Sequence, residues 1–329
     1  MNNFQLIRYG IEMGASVYRQ HRFINSFLKP LVQKHSARLG YTFSKSEQKK
    51  VLFYYPMYTV LACAQMYLAL KGRRLSISER KRLTLVGSMA TICDDLIDEH
   101  NWTREQIFEL LSNQFTEEGL ETKARLLVAL NKELNTFWPL QQRYLEQLKI
   151  ALDWQSSSAK QLDPAITLDE IVHLCREKNG NTSLMFASLI DEDWTEAEQK
   201  FIYQSAMVGQ LTNDSFDMYF DTLNGLNTYV NRARSIKDVR KFFIDECTKL
   251  HQSVRDCETT GKQKLFTIRR MSCMHGFTLV ALDHLQETED KYGPPVDWKE
   301  ATRKEMVTDL ALNKNRMKLP GAIKYLSTL

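Results

Sequence analysis

Glycine and proline are scarce, with thirteen and seven among 329 residues, about half the share in an average globular chain. That scarcity argues against a turn-rich sandwich or barrel and against a disordered or collagen-like chain, and it favours long helices. A dominant charge of one sign is also missing. The chain has 44 Lys plus Arg against 40 Asp plus Glu, a formal net charge of +4, too little to imply nucleic-acid binding by composition. The basic cluster from Lys71 to Arg82 lacks the interleaved aromatics of a nucleic-acid patch. Six cysteines form no CxxC pair, and a chain of this size needs no staples, so reduced thiols in a cytoplasmic protein are expected. MNNFQLIRYGIEMG has no basic stretch followed by an apolar core, so no signal peptide is expected.

What is present is helical periodicity. Segments 46–71, 77–100, 121–154, 167–190, 195–223 and 262–292 repeat apolar residues at a period near 3.6. Ser76 with Glu79, Thr103 with Gln106, Thr167 with Glu170 and Thr195 with Glu198 fit the capping-box pattern at helix starts. The uncharged run from Val51 to Leu70 has nearly the length of a membrane span. Pro56, Thr59, Gln65 and four tyrosines interrupt it, and basic residues flank both ends, so a buried bundle helix is expected and no stable span. No alternating stretch makes a strand, and no repeat is found. Short connectors at 155–164, 191–194, 224–234 and 256–262 predict one all-α domain over 1–329, with 1–45 packing on it as an N-terminal helical segment.

Two acidic clusters interrupt the apolar pattern. ATICDDLIDEH, from Ala90 to His100, sets Asp94, Asp95 and Asp98 three and four apart on one face, within an arc of roughly 100°. Carboxylates that close repel one another unless cations lie between them, and magnesium takes oxygen ligands of this kind while leaving positions for phosphate. By itself the cluster reads equally well as a solvated helix end. GQLTNDSFDMYFD, from Gly209 to Asp221, is more specific. Asn213, Asp217 and Asp221 stand four apart over about 12 Å of helix, with Gln210 in the same arc and Asp214 at its border. The rest of that helix is apolar nearly all round, so a polar stripe along it needs partners.

With these two motifs the sequence resembles the class I isoprenoid synthase superfamily, which holds trans-prenyltransferases and class I terpene synthases. Asp94-Asp95-Leu96-Ile97-Asp98 matches the DDxxD motif without substitution. The second cluster is similar to two family patterns. In the cyclase triad (N/D)Dxx(S/T)xxxE, Asn213 and Asp214 match, and Asp217 and Asp221 replace the hydroxyl and the glutamate. In the prenyltransferase pattern QxxDDxxD, Gln210, Asp214 and Asp217 match, and Asn213 replaces the first aspartate. Arg176 to Ala187 resembles the helix that carries a Lys-Thr pair beside the diphosphate, with Lys178 and Thr182 in those roles. There the family breaks the helix, at the position of Gly180, turning a carbonyl toward the carbocation. The detailed likeness covers about residues 60–240; the remainder matches only as helices.

The resemblance implies a bundle of about ten or more helices around a central cavity, and a prenyl diphosphate held by magnesium, three ions in the family. Asp94, Asp95, Asp98, Asn213, Asp214, Asp217 and Asp221 are the implied ligands. Lys178, Arg232, Arg234 and Lys237 are candidates to meet the diphosphate, and Phe186, Phe216 and Phe220 to shield the cation. Met89, Ala90 and Gly87 stand one turn or more before the first motif, where the family's residues face the chain; small Ala90 and Gly87 imply fifteen to twenty carbons or longer. No paired arginine follows the first motif, where Arg104 stands alone, and Lys71-Gly72-Arg73-Arg74 is only loosely similar to the grip on a second diphosphate. This favours a cyclase over a chain-elongating prenyltransferase that uses isopentenyl diphosphate. A non-catalytic helical interaction protein is the further alternative, and the resemblance allows a homodimer.

Overall fold

A computed structural model describes residues 1–116 and 118–329, and among them no strand occurs. The protein is an all-α helical bundle. Its helices are α1 (Asn3–Phe23), α2 (Lys29–Leu39), α3 (Lys45–Lys49), α4 (Tyr55–Tyr58), α5 (Gln65–Lys71), α6 (Ile77–Asp98), α7 (Arg104–Leu111), α8 (Thr122–Phe137) and α9 (Gln142–Ser157). They continue as α10 (Leu168–Ser188), α11 (Glu196–Leu223), α12 (Tyr229–Arg232), α13 (Ile236–Asp256), α14 (Gly261–Tyr292), α15 (Arg303–Met306) and α16 (Asn313–Leu326).

The chain divides into two compact units. One comprises residues 11–156 and 184–193, the other residues 1–10, 157–183 and 194–329. In the first, α6 packs on α4 and α8, and α2 and α7 pack on α8. Its core is Leu83, Leu85, Met89, Ile92 and Leu96 of α6 with Leu126, Leu127, Leu130 and Leu134 of α8. In the second, α11 packs on α13 and α14, and α14 on α16. There Phe201, Ile202, Val208, Leu211 and Met218 meet Phe243, Leu250, Met271, Leu279 and Leu282.

Local rules explain most boundaries. Capping boxes close α6, α7 and α11 at the expected serine and threonines, and Thr167 and Glu170 exchange the same pair of bonds before α10. Four more boxes escaped the sequence reading: three of the same pattern at Ser44, Thr260 and Thr302, and one at Thr228, where Asn231 replaces the glutamate or glutamine. The helix expected over 121–154 is two helices. Trp138 is extended and Pro139 follows it; the proline ring disfavours helical backbone at the residue before it and has no N–H to continue the ladder. The run from Val51 to Leu70 is helical but not one regular rod. Wider π turns at Lys50–Tyr54 and Thr59–Ala64 flank α4, which begins at Tyr55-Pro56. No described helix is long and apolar enough to cross a membrane.

Candidate functional site

In the first unit, α6 ends in the DDxxD motif. Asp95 points into the protein and is buried, Asp94 is half-buried and Asp98 exposed. Lys123 of α8, itself buried, places its ammonium 3.3 Å from Asp95 and 3.0 Å from Glu47, and Lys50 lies 3.7 Å from Asp95. Although burial works against its charge, hydrogen bonds from Tyr41, Ser44 and Lys123 hold the Glu47 carboxyl down at about 2. Asp95 is thus committed to an internal ion-pair network. Asp94 accepts a hydrogen bond from the Tyr55 hydroxyl at 3.3 Å, and its negative charge, with burial, pushes the Tyr55 phenol well up. Tyr55 and Lys123 belong to this motif's surroundings, and no local spacing announces either.

The residues before the motif behave differently from expectation. A side chain at Gly87 would meet Thr59 Oγ1 at 2.7 Å and the Tyr55 carbonyl at 3.1 Å. Gly87 therefore permits the close approach of α6 to the helix carrying Thr59 and opens no space for a substrate chain. Met89 is core, and Ala90 alone of the three remains partly accessible. The basic cluster upstream is engaged as well. Arg73 pairs with Glu79 at 2.7 Å and with Glu192, and Arg82 pairs with Asp191 through both terminal guanidinium nitrogens. Arg143 donates to the carbonyls of Ser188, Ile190 and Glu192. These arginines tie down the connector after α10.

The second unit carries the other cluster, midway along α11. Asp214 is buried. Gln210 Nε2 donates to its Oδ1 at 2.6 Å, while Oδ2 has no hydrogen-bond partner. Burial first, and the charges of Asp221 and Asp217 next, push the Asp214 carboxyl well above the usual range. Burial raises Asp217 too, against a hydrogen bond with Asn213. Burial and the Asp217 charge lift Asp221 to about 7, and its buried Oδ2 is likewise without a partner. The positive charge of Lys178 on α10 works the other way and lowers Asp214. The sequence motif and the proposed cation therefore meet in this unit.

Other candidates divide into those near this stripe by chain position and those spent on structure. Helix α10 runs unbroken through Gly180, so the expected helix break is not found. A side chain there would meet the Tyr203 ring at 2.3 Å, and the glycine serves the packing of α10 against α11. Thr182 donates to the Lys178 carbonyl at 2.8 Å. Arg232 donates to Asn227 Oδ1 at 2.9 Å and to the Pro164 carbonyl; Arg234 and Lys237 are exposed at the entry to α13. Phe216 is half-buried, Phe220 is 48% exposed against Tyr219, and Phe186 is core.

Two buried carboxylate oxygens without partners, on acids whose charge is suppressed, suit a hard cation. Among the described residues no three His, Cys, Asp or Glu side chains converge as a ready metal cage. Magnesium commonly takes only one or two carboxylates and completes its shell with phosphate and water, so the donor set fits. No protein-family model matches the chain, and a search of curated proteins found no significant match.

Proposed function

We propose that the protein is a magnesium-dependent class I terpene synthase, which ionises a linear allylic prenyl diphosphate and converts the cation to a hydrocarbon or alcohol. The observation that carries this reading is the carboxylate stripe of α11: Asp214 buried, Asp221 held up at about 7, and both with an oxygen that no protein group satisfies. A helix that buries unbalanced acids loses stability unless a cation arrives. Asn213, Asp217 and Asp221, with Asp214, would hold magnesium on this motif, and Asp94 with Asp98 on the other. Asp95 supports the first motif through Lys123. Bound magnesium would supply Lewis-acid stabilisation of the departing diphosphate oxygens.

The chain's own groups do the rest. Lys178 offers a point charge to the diphosphate beside Asp214 and stabilises the charge that grows as the carbon–oxygen bond breaks. Phe216 and Phe220 offer ring faces to the allylic cation. Ala90, without Gly87, sets the room for the chain near the first motif. The engagement of Arg73 and Arg82 by Glu79, Glu192 and Asp191 leaves that basic segment occupied. It thereby favours a cyclase over an enzyme that must grip a second diphosphate.

The test is incubation with magnesium and geranyl, farnesyl, geranylgeranyl or a longer diphosphate, each with and without isopentenyl diphosphate. Hydrocarbon or alcohol from one allylic diphosphate alone, reduced at least a thousandfold in Asp94→Ala and Asn213→Ala, supports the reading. A lengthened diphosphate that needs the acceptor means a prenyltransferase. Folded protein inert with every substrate leaves the interaction-protein reading.

A further inference from the structure

Apart from both acidic motifs, the first unit contains a cleft of about 410 Å³ where α2 packs on α8. Its size is that of a small-molecule site. The lining has two characters. Leu39, Leu120, Val128 and Ala129 make it apolar, while Arg38, Arg125 and Lys132 bring positive charge against the single carboxylate of Glu133. That carboxylate is already answered from α2: His35 Nε2 lies 2.8 Å and Lys34 Nζ 3.3 Å from Glu133 Oε1. These bonds outweigh burial and hold Glu133 below its usual range. Arg38 and Arg125 are exposed and both line this cleft. Arg125 also stands in the first turn of α8, the end of a helix where a cation opposes the backbone dipole and an anion relieves it.

We propose that the α2–α8 cleft binds an amphiphilic organic phosphate, its head at Arg38 and Arg125 and its apolar body on Leu39, Leu120, Val128 and Ala129. Guanidinium groups suit this head because their planar donors match phosphate oxygens two at a time. An apolar tail of a few carbons gains from the four aliphatic side chains what a bare ion cannot. The site does not depend on the terpene synthase reading, since none of its residues belongs to that chemistry.

Calorimetric titration of the full chain, in EDTA so that no magnesium site competes, tests it with n-octyl phosphate below its micelle concentration. Saturable one-to-one binding is expected, with inorganic phosphate and octyl glucoside each at least tenfold weaker because each offers half of the complement. Arg38→Gln with Arg125→Gln, both on the surface, should weaken octyl phosphate at least tenfold with an unchanged circular dichroism spectrum, and Lys178→Gln should leave it unaltered. Sedimentation with phosphatidic acid–phosphatidylcholine vesicles separates the sources. Arginine-dependent retention assigns the head to a bilayer lipid, and binding of octyl phosphate without retention assigns it to a soluble phosphate. No saturable binding, octyl glucoside as tight as octyl phosphate, or a loss in Lys178→Gln but not in the arginine pair would overturn the proposal.

Discussion

Asp95 near the end of α6 and Asp214 in the middle of α11 are both buried carboxylates, 6% and 1% exposed, yet their surroundings differ in kind. Asp95 meets Lys123 and Lys50. Asp214 meets an amide on one oxygen, nothing on the other, and two more acids along its helix. Burying a charge is tolerable when a partner of opposite sign is buried with it and costly otherwise. The first acid is part of what holds its unit together, whereas the second detracts from the stability of its unit until a cation is supplied.

The largest effect should come from removing the cation at the paired site. Lys123→Met takes the buried ammonium from Asp95 and Glu47 and leaves Asp95 only the more exposed Lys50, and breaking such a buried pair costs about 3–5 kcal/mol. Urea denaturation at pH 7 measures it, and a loss below about 1 kcal/mol would show that the two sites do not differ as described.

A pH titration comes next, because the second unit holds buried groups of opposite sign. Burial lowers His275 to about 3 and His251 to about 4, and neither ring nitrogen of His275 has a partner. A histidine with a depressed folded pKa contributes its full stability above about pH 6.5 and loses it as pH falls toward the folded value. Between pH 6.5 and 4.5 the loss is about 2 kcal/mol for each of the two histidines. Asp221 runs the other way: with its folded pKa lifted from 3.8 to about 7, its contribution is full below about pH 4 and is lost progressively as pH rises from there to about 7. His275→Leu should flatten the rise in stability between pH 4.5 and 6.5, and Asp221→Asn, which removes an opposing slope over the same window, should steepen it. Denaturation curves at pH 4.5, 6.5 and 8 that do not change in these variants would refute the assignment.

At the unpaired site, Asp214→Asn removes a buried negative charge from beside Asp217 and Asp221 and keeps the acceptor for Gln210, so it should stabilise the metal-free protein at pH 8 by about 1–2 kcal/mol. Asp95→Asn should not stabilise. A destabilised Asp214→Asn would mean that this carboxylate is balanced after all. Magnesium should have the smallest effect, raising stability at pH 8 by about 1.4 kcal/mol at ten times its dissociation constant. The shift should shrink at pH 5, where Asp221 is protonated, and vanish in the variant lacking both Asp214 and Asp217 charges. An equal rise in melting temperature in that variant would place the ion elsewhere.

Much of the helix pattern could be read locally. Ser76, Thr103, Thr167 and Thr195 announce their helices because a capping box involves only four consecutive residues. The α11 stripe was legible because Asn213, Asp217 and Asp221 stand four apart on an otherwise apolar helix. Pro139 was an available signal for the break between α8 and α9, and the apolar periodicity on both sides of it concealed it. Gly87 and Gly180 were misread for another reason. Their neighbours, Thr59 and Tyr203, stand 28 and 23 positions away in the chain, and nothing in the spacing around a glycine says whether it faces a cavity or another helix.

The amino-acid sequence alone therefore determined the helical class, most helix starts and the two acidic motifs, since periodicity, caps and i, i+4 faces are properties of short stretches. Tertiary packing decided which acids are balanced. Lys123 reaches Asp95 across 28 residues, Arg73 and Arg82 reach Glu192 and Asp191 across more than a hundred, and Asp214 is left with an unpartnered oxygen. Charge compensation depends on distance and burial in three dimensions, so it becomes visible only when the helices pack.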